Sequence, residues 1–285
     1  MAGQGAAMLI RADSLFFQGL WKDAMSEYVK YLADSSQNSV AWNRLGYADQ
    51  RLGLYQDAIK NYEHSLACQP SKQVRAVVES RLARTYALMN DPAAALSWLE
   101  KAIGSGYINL AELDSSSDFQ TIRNRPGFAD LRKKVFNSVY PCFADPKARE
   151  FDFWIGEWDV YQTGTTIQVG RSVIQQSSGG CAILENWTSL QGHNGKSLNY
   201  RDPSSGEWEQ DWIGSDGAPQ RYLHGTYKDS AMRFQFESIS NGGPASGHFV
   251  LFNLGPDKVR QFQELSADGG KTFQVAYDFT YVRKK

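Results

Sequence analysis

The sequence contains no long apolar run, and a membrane-spanning helix needs about 18 consecutive apolar residues. It has no excess of charge of either sign, with 30 Lys and Arg against 31 Asp and Glu, so no overall field attracts nucleic acid or an anionic lipid surface. Residues 1–7 also lack the basic start and the apolar core of an export signal. We therefore expect a soluble chain with no membrane span and no nucleic-acid partner. The compartment stays open: we expect a cytoplasmic chain as written, or a periplasmic or secreted one if a signal peptide has been removed.

Cysteine is scarce, and Cys68, Cys142 and Cys181 are the three in the chain. Their spacing matches no zinc site, and an odd number of cysteines does not suit a disulfide framework. For Cys142 and Cys181 two alternatives stay open. They are either free thiols or partners in a disulfide, and the disulfide would imply an oxidising compartment.

Histidine is also scarce, and His193, His224 and His248 share no close spacing. One carboxylate with scattered histidines is not a metal-ligand pattern, so we predict no bound metal. The chain lacks the G-x-S-x-G motif of nucleophilic hydrolases, and its glycine turns, such as 268–270, lack the context of a phosphate-binding loop. We therefore predict no cofactor, although a haem held by a single histidine stays an open alternative.

The N-terminal part of the chain, residues 8–136, repeats itself at an offset of 34 residues. The offset pairs Gly19 with Gly53 and Tyr28 with Tyr62. The period and the residue types resemble the tetratricopeptide repeat, in which two antiparallel helices cross closely at small residues and large aromatic side chains fill the space beside them. The best copy of the pattern consists of Trp42, Leu45, Gly46, Gly53, Tyr55, Ala58, Tyr62 and Pro70.

This resemblance implies an all-α superhelix of about three hairpins, followed by a capping helix that ends near Phe136. Repeat arrays of this kind bind partners along their concave face, so we expect a protein partner or self-association. The family's peptide-carboxylate clamp uses Lys, Asn and Arg at set positions, and here those positions hold Leu9, Asp13 and Arg44. That clamp is therefore not carried over to this chain.

The composition changes after residue 140, because 17 of the 25 glycines lie there and strand-like alternation replaces the helical period. We predict a linker over 137–150 and a second domain over 151–285. Consecutive strands joined by tight turns, such as 179–180 and 241–244, should form an antiparallel meander that closes into a barrel. The predicted fold class is α+β in two separate domains, an all-α repeat followed by an all-β antiparallel barrel. The candidate strands are Phe153–Tyr161, Thr166–Gln176, Cys181–Leu190, Lys196–Arg201, Trp208–Gly214, Arg221–Tyr227, Met232–Ser238, His248–Asn253, Lys258–Leu265 and Phe273–Val282.

The second domain opens with F-D-F-W-I-G-E-W-D-V at residues 151–160, and G-C-A-I-L-E-N-W follows at 180–187. This succession resembles the bacterial lipocalin-like domains of unknown function. Gly156 and Trp158 match the lipocalin G-x-W signature, and the resemblance implies that the Trp closes one barrel end beneath an Arg of the last strand. Arg283 is placed to be that Arg. The resemblance also implies a cavity, but it brings no settled chemistry.

The candidate strands place polar side chains beside large aromatic ones, because alternate residues of a strand face the same side. A small-molecule pocket requires such a mixed lining. Core filling stays the competing interpretation of the tryptophans. The predicted ligand-binding residues are Trp154, Trp187, Asn199, Trp208, Gln210, Trp212, Tyr222 and Gln263.

Glu185 and His224 form the best candidate acid/base pair if the barrel is an enzyme. Each residue also has a plainer interpretation, since Glu185 points into water if the alternation is phased the other way and His224 suits an exposed or hydrogen-bonded histidine. We predict that the barrel binds a small apolar or aromatic molecule while the repeats dock a protein. The alternative is a cofactor-independent hydratase, cyclase or isomerase, and a third possibility is a barrel that serves only in assembly.

Overall fold

A computed structural model describes residues 2–240 and 243–285 of the chain. The chain divides into two compact units, with the boundary between Val139 and Tyr140. The first unit is all-α, and the second is a closed antiparallel barrel preceded by short helical turns. The predicted fold class is confirmed. None of the helices in the described ranges combines the length and the apolar character needed to cross a bilayer.

Three helical hairpins followed by two further helices make up the described residues of the first unit. Its first helix begins at Ala2, earlier than the predicted start at residue 8. The last helix continues beyond the predicted end near Phe136. The helices are α1 (Ala2–Phe17), α2 (Trp21–Asp34), α3 (Ser39–Arg51), α4 (Tyr55–Ala67), α5 (Lys72–Leu88), α6 (Pro92–Gly104), α7 (Leu110–Ser115) and α8 (Phe128–Val139).

In each hairpin, a residue in the left-handed conformation ends the first helix, and this residue recurs with the repeat. Gly19 and Gly53 have φ angles of 74° and 78°, in the left-handed region that glycine enters without steric cost. In the third hairpin Asn90 takes this role with φ of 59°, and asparagine tolerates the conformation better than most residues. The side chain of Asp91 then caps α6, which begins at Pro92.

Gly46 lies where α3 crosses α4. A Cβ atom at this position would lie 2.8 Å from the Tyr62 ring and 3.0 Å from the Ala58 carbonyl oxygen. The ring cannot move aside easily, because Tyr62 is fully buried and its hydroxyl donates to Gln50 Oε1 at 2.8 Å. The prediction that small residues occupy the helix crossings of this repeat is confirmed.

Ten strands within 156–240 and 243–283 form an up-and-down meander in which each strand pairs antiparallel with its neighbours. β1 also pairs with β10, so the sheet closes into a barrel and leaves no free edge. Part of the predicted turn over 241–244 falls on residues 241–242, which lie outside the described residues. The strands are β1 (Gly156–Gln162), β2 (Gln168–Ser177), β3 (Ala182–Ser189), β4 (Asn194–Arg201), β5 (Trp208–Gly214), β6 (Pro219–Lys228), β7 (Ala231–Ser240), β8 (Gly243–Asn253), β9 (Lys258–Ser266) and β10 (Gln274–Arg283).

One end of the barrel is closed by the residues that lead into β1. The indole Nε1 of Trp158 donates to the Trp154 carbonyl oxygen at 2.8 Å, and the Arg283 guanidinium lies 4.3 Å from the centroid of the Trp158 ring. Arg283 Nη1 also donates to the Ile155 carbonyl oxygen at 3.1 Å. Phe151 stacks on Trp154 with ring centroids 5.2 Å apart. The Trp158 and Arg283 contact implied by the lipocalin resemblance is therefore present.

Cys142 and Cys181 form a disulfide with 5.0 Å between their Cα atoms. It ties the short helix α9 (Pro141–Ala144) to the turn between β2 and β3. The same turn packs closely on the preceding segment, since a Cβ at Gly179 would lie 2.9 Å from the Tyr140 ring. From Tyr140 onward, the segment predicted as a linker therefore belongs to the barrel unit.

We predict that removing this disulfide destabilises the barrel unit. The bond joins positions 39 residues apart, and releasing that constraint on the unfolded chain costs about 3 to 4 kcal/mol. The double variant Cys142→Ser with Cys181→Ser should therefore unfold at lower urea concentration, whereas Cys68→Ser is the control because Cys68 is not disulfide-bonded. Thiol titration of the denatured chain should find one thiol without reductant and three with it. Three thiols without reductant would contradict the disulfide.

Candidate functional site

The barrel contains a cavity of about 190 Å³. Its lining combines large aromatic rings with uncharged amides and one carboxyl group. Six of the lining residues belong to the set predicted from the sequence, and six were not predicted. The predicted ones are Glu185, Trp187, Gln210, Trp212, Tyr222 and Gln263, and the others are Gln220, Phe249, Gln261, Tyr277, Phe279 and Tyr281.

Two tryptophans reach into the barrel across the backbone of a neighbouring strand. The Trp187 ring lies over Gly170, where a Cβ would be 2.6 Å from the ring. The Trp212 ring lies over Gly195 in the same way, and a Cβ there would overlap it. Glycine at these two strand positions thus makes room for the indole rings that line the cavity.

Glu185 on β3 is the buried acidic residue of the cavity, with 2% of its surface exposed. Its two carboxyl oxygens accept hydrogen bonds from Ser172 Oγ on β2 and Ser197 Oγ on β4, each at 2.9 Å. Asn199 Nδ2 donates to Ser197 Oγ at 3.0 Å and to the Ile183 carbonyl oxygen at 3.2 Å. The carbonyl contact fixes the orientation of the amide, so Ser197 accepts from Asn199 and donates to Glu185.

Tyr281 on β10 lies on the other side of the carboxyl group. Its hydroxyl is 2.7 Å from Gln261 Oε1 and 3.4 Å from Glu185 Oε1. A tyrosine hydroxyl has a single proton to donate, and the shorter contact assigns that proton to Gln261. Glu185 therefore receives full hydrogen bonds from the two serines and at most a weak one from Tyr281.

Burial raises the pKa of Glu185 to about 7, and the hydrogen bonds from Ser172, Ser197 and Tyr281 oppose that rise. Among the described residues that line the cavity there is no Lys, Arg or His to compensate a negative charge. Burial also raises the pKa of Tyr277 and of Tyr281 well above the usual value, so both hydroxyls stay neutral. The cavity thus changes between neutral and singly negative near neutral pH.

Gln210 on β5 presents an unused acceptor. The side chain is 2% exposed, and its Oε1 has no hydrogen-bond partner within residues 2–240 and 243–285. The neighbouring Tyr222 hydroxyl donates to Gln220 Oε1 at 2.9 Å and lies 3.5 Å from Gln263 Oε1. A buried amide oxygen without a partner is destabilising by about 1 to 3 kcal/mol, and a donor group in the cavity would relieve that cost.

The apolar part of the lining consists of rings that already contact one another. Trp187 and Phe279 are stacked at 6.3 Å with 15° between their planes, and Tyr277 and Phe279 are stacked at 5.1 Å with 11°. Ring faces of this kind favour planar apolar groups and, through their quadrupoles, cations.

Three of the predicted ligand-binding residues do not line the cavity. Trp154 and Trp208 are buried at the closed end, where both contact Phe151, so their role there is core filling. Asn199 is fully buried behind Ser197 and supports Glu185 through that hydroxyl. It contributes to the site without facing the cavity.

His224 does not lie beside Glu185, so the structure does not bring the candidate acid/base pair together. Its side chain is 62% exposed, and Nδ1 is 2.9 Å from Glu207 Oε2 on the outer surface of the barrel. The reason is a β-bulge in β6: the pairing with β5 shifts between Tyr222 and Gly225, and His224 has φ of 55°. The extra residue reverses the alternation, so Tyr222 faces inward and His224 faces outward.

The cavity residues missed in the sequence lie mainly on β9 and β10. Gln261 alternates on β9 with Gln263, which was predicted, and Tyr277, Phe279 and Tyr281 alternate on β10. Amide and aromatic residues at every second position of β9 and β10 were therefore the signal that could have identified this side of the cavity.

The first unit has a groove of its own, with a volume of about 490 Å³. Arg81 stacks over the Tyr47 ring at 4.3 Å and donates to Asn43 Oδ1 at 3.0 Å. Arg84 pairs with Glu112 at 2.5 Å. Further along, the groove exposes the apolar side chains Val77 and Ile108.

Comparison with known sequences identifies the helical hairpins. The model of the tetratricopeptide repeat family matches residues 37–104. Helices α3 to α6 thus match tetratricopeptide repeats. The match begins just before α3 and ends with α6, so it covers the second and third hairpins. Such repeats mediate protein–protein interaction, and they support a protein partner or self-association for this chain.

A curated relative and two solved structures resemble parts of the chain. The relative is a chloroplastic protein of Arabidopsis thaliana, 29% identical over 114 residues, which is 40% of this chain and 34% of that protein. The match thus spans about a third of that relative's length. Two crystal structures of MamA each align with 50% of this chain. One covers 76% of MamA with 18% identity and a TM-score of 0.40, and the other covers 81% with 19% identity and a TM-score of 0.41.

We predict that Glu185 makes the barrel less stable as the pH rises. The unfolded carboxyl has a pKa of 4.5 and the folded one about 7, so between these values the folded state holds a proton that the unfolded chain has released. Stability is therefore lost across this interval, by roughly 3 kcal/mol in all. The difference in unfolding free energy between the unmodified protein and Glu185→Gln should show this slope. Glu157→Gln, on the exposed face of β1, is the control. A pH-independent difference would contradict the assignment.

Proposed function

We propose that the barrel binds a small, largely aromatic molecule in the cavity beside Glu185. The observation that carries the proposal is a cavity of about 190 Å³ that combines stacked aromatic walls with the unpartnered Oε1 of Gln210. A dry cavity of about 150 Å³ holds a benzene ring, so this volume suits a ligand of one or two rings. The polar groups at Glu185 and Gln210 would orient that ligand.

The barrel would then be a lipocalin-like ligand-binding domain. The contact of Arg283 with the Trp158 ring and the G-x-W residues support this assignment. We infer that the barrel unit folds in an oxidising compartment, because structural disulfides such as Cys142–Cys181 persist there.

The tetratricopeptide repeats would dock a protein along the groove between Tyr47 and Ile108. Exposed apolar side chains beside arginines that stack on aromatic rings are typical of docking surfaces. Sedimentation of the full chain over a range of concentrations distinguishes the two forms of this proposal. A concentration-dependent dimer supports self-association, and a monomer at all concentrations supports a different protein as the partner.

A cofactor-independent enzyme is the second candidate. The specific observation in its favour is that burial raises the pKa of Glu185 to about 7 inside a cavity, which suits a group that gives and takes a proton near neutral pH. Turnover of a bound compound that falls in Glu185→Gln while affinity persists would favour the enzyme. His224 has no part in this candidate, because it faces away from the cavity.

We predict that one-ring fluorinated aromatics bind in the cavity and that Gln210 contributes to the affinity of those with a donor group. In ¹⁹F NMR titrations, 4-fluorobenzyl alcohol should bind the Gln210→Leu variant about fivefold more weakly, which corresponds to one hydrogen bond of roughly 1 kcal/mol. The apolar 4-fluorotoluene should bind both proteins alike. Gln175→Leu is the matched control, since Gln175 is an exposed glutamine on β2. If neither compound binds, or if both variants weaken the alcohol equally, the cavity is not the binding site.

A further inference from the structure

The Glu185 carboxylate can accept more hydrogen bonds than its neighbours donate to it. Each carboxylate oxygen has two lone pairs, and Ser172 and Ser197 each occupy one, on different oxygens. Tyr281 gives its proton to Gln261 at 2.7 Å and stands 3.4 Å from the carboxyl group. The carboxyl group can therefore accept further hydrogen bonds that the described residues of the barrel do not supply.

The lining contains a second buried acceptor that lacks a hydrogen-bond donor in the described part of the chain. Gln210 Oε1 is buried without a partner among the described residues. The strand register joins the two groups through β4: Ser197 is opposite Glu185 on one side, and Asn199, two residues along, is opposite Gln210 on the other. Both acceptors thus belong to one wall of the barrel, so a ligand bound against that wall is favoured if it carries donors.

The charge of the lining favours the same class of ligand. Among the described lining residues, Glu185 is the one carboxyl group, and no basic side chain is present. Tyr222, Tyr277 and Tyr281 are the other titratable groups that face it, and burial raises the pKa of each. A buried carboxylate without a counter-charge repels an anionic ligand and attracts a cation. The faces of Trp187, Phe279 and Tyr277 would stabilise that cation further.

We propose that the ligand of the barrel is a small aromatic amine, bound with its ammonium group on the Glu185 carboxylate and its ring against the Trp187 and Phe279 side of the cavity. This inference rests on the proposed ligand-binding function and specifies the chemical class. An ammonium group supplies the donors that the carboxylate lacks and neutralises its charge. Where Glu185 is protonated in the free protein, binding releases that proton to solvent, so the amine binds more weakly at lower pH.

The test compares three compounds that share one ring and differ in charge. They are 4-fluorobenzylamine as the cation, 4-fluorobenzyl alcohol as the neutral analogue and 4-fluorobenzoate as the anion, titrated against the full chain by ¹⁹F NMR. At about pH 8, where the carboxyl is mostly ionised, the amine should bind at least about tenfold more tightly than the alcohol, and the benzoate should bind most weakly. Between about pH 7 and 5 the amine affinity should fall by roughly fiftyfold in all and approach tenfold per pH unit at the acidic end, while that of the alcohol stays level.

Glu185→Gln tests the residue directly. The amine should lose at least about tenfold in affinity and its pH dependence, and the alcohol should stay within about threefold. Glu157→Gln is the matched control, because it removes the same charge from the exposed face of β1. Binding of the alcohol reports that the variant is folded, and the comparison of the three compounds on the unmodified protein needs no variant.

The outcomes separate this inference from the proposed function. If the alcohol or the benzoate binds as tightly as the amine, or if Glu185→Gln leaves the amine affinity unchanged, the inference is overturned while aromatic ligand binding stands. If none of the three compounds binds, the inference and the proposed function both fail.

Discussion

The pairing of β1 with β10 is the contact on which the rest of the barrel depends. It converts a ten-strand meander into an enclosure, and it places Arg283 directly opposite Trp158, where the guanidinium covers the indole ring. Closure separates the inner faces of the strands from bulk solvent. The high pKa of Glu185 follows from this closure, because desolvation of the carboxyl group is the largest cause of the shift and outweighs its hydrogen bonds.

The fold was predictable because its signals are local and repeated. A left-handed glycine ends the first helix of the first two hairpins, at Gly19 and Gly53, and this signal needs no knowledge of distant contacts. The alternation of the strands likewise predicts an antiparallel barrel from short segments. The disulfide could not be decided in the same way, because the pairing of Cys142 with Cys181 depends on the distance between a helical turn and a strand connection.

The site was predictable only where the strands are regular. On β3 and β5 the period of two holds, so Glu185, Trp187 and Gln210 lie inside as expected. On β6 one extra residue reverses the period, and His224 turns outward although its neighbour Tyr222 stays inside. A bulge of this kind depends on how two strands pair, and the isolated glycine Gly225 is the one local signal for it in the segment.

Burying the Glu185 carboxyl group lowers the stability of the barrel, and a barrel with only a packed core would not require it. An apolar side chain at position 185 would pack without the desolvation that Glu185 undergoes. Instead the chain holds two serines against the carboxyl and an asparagine behind one of them. These donors stabilise the charged form in part, and burial still keeps the pKa near 7. Because the pKa lies near neutral pH, a ligand that donates to the carboxylate can shift Glu185 to its charged form. The residue that lowers the stability of the free barrel is therefore also the residue through which a bound ligand can raise it.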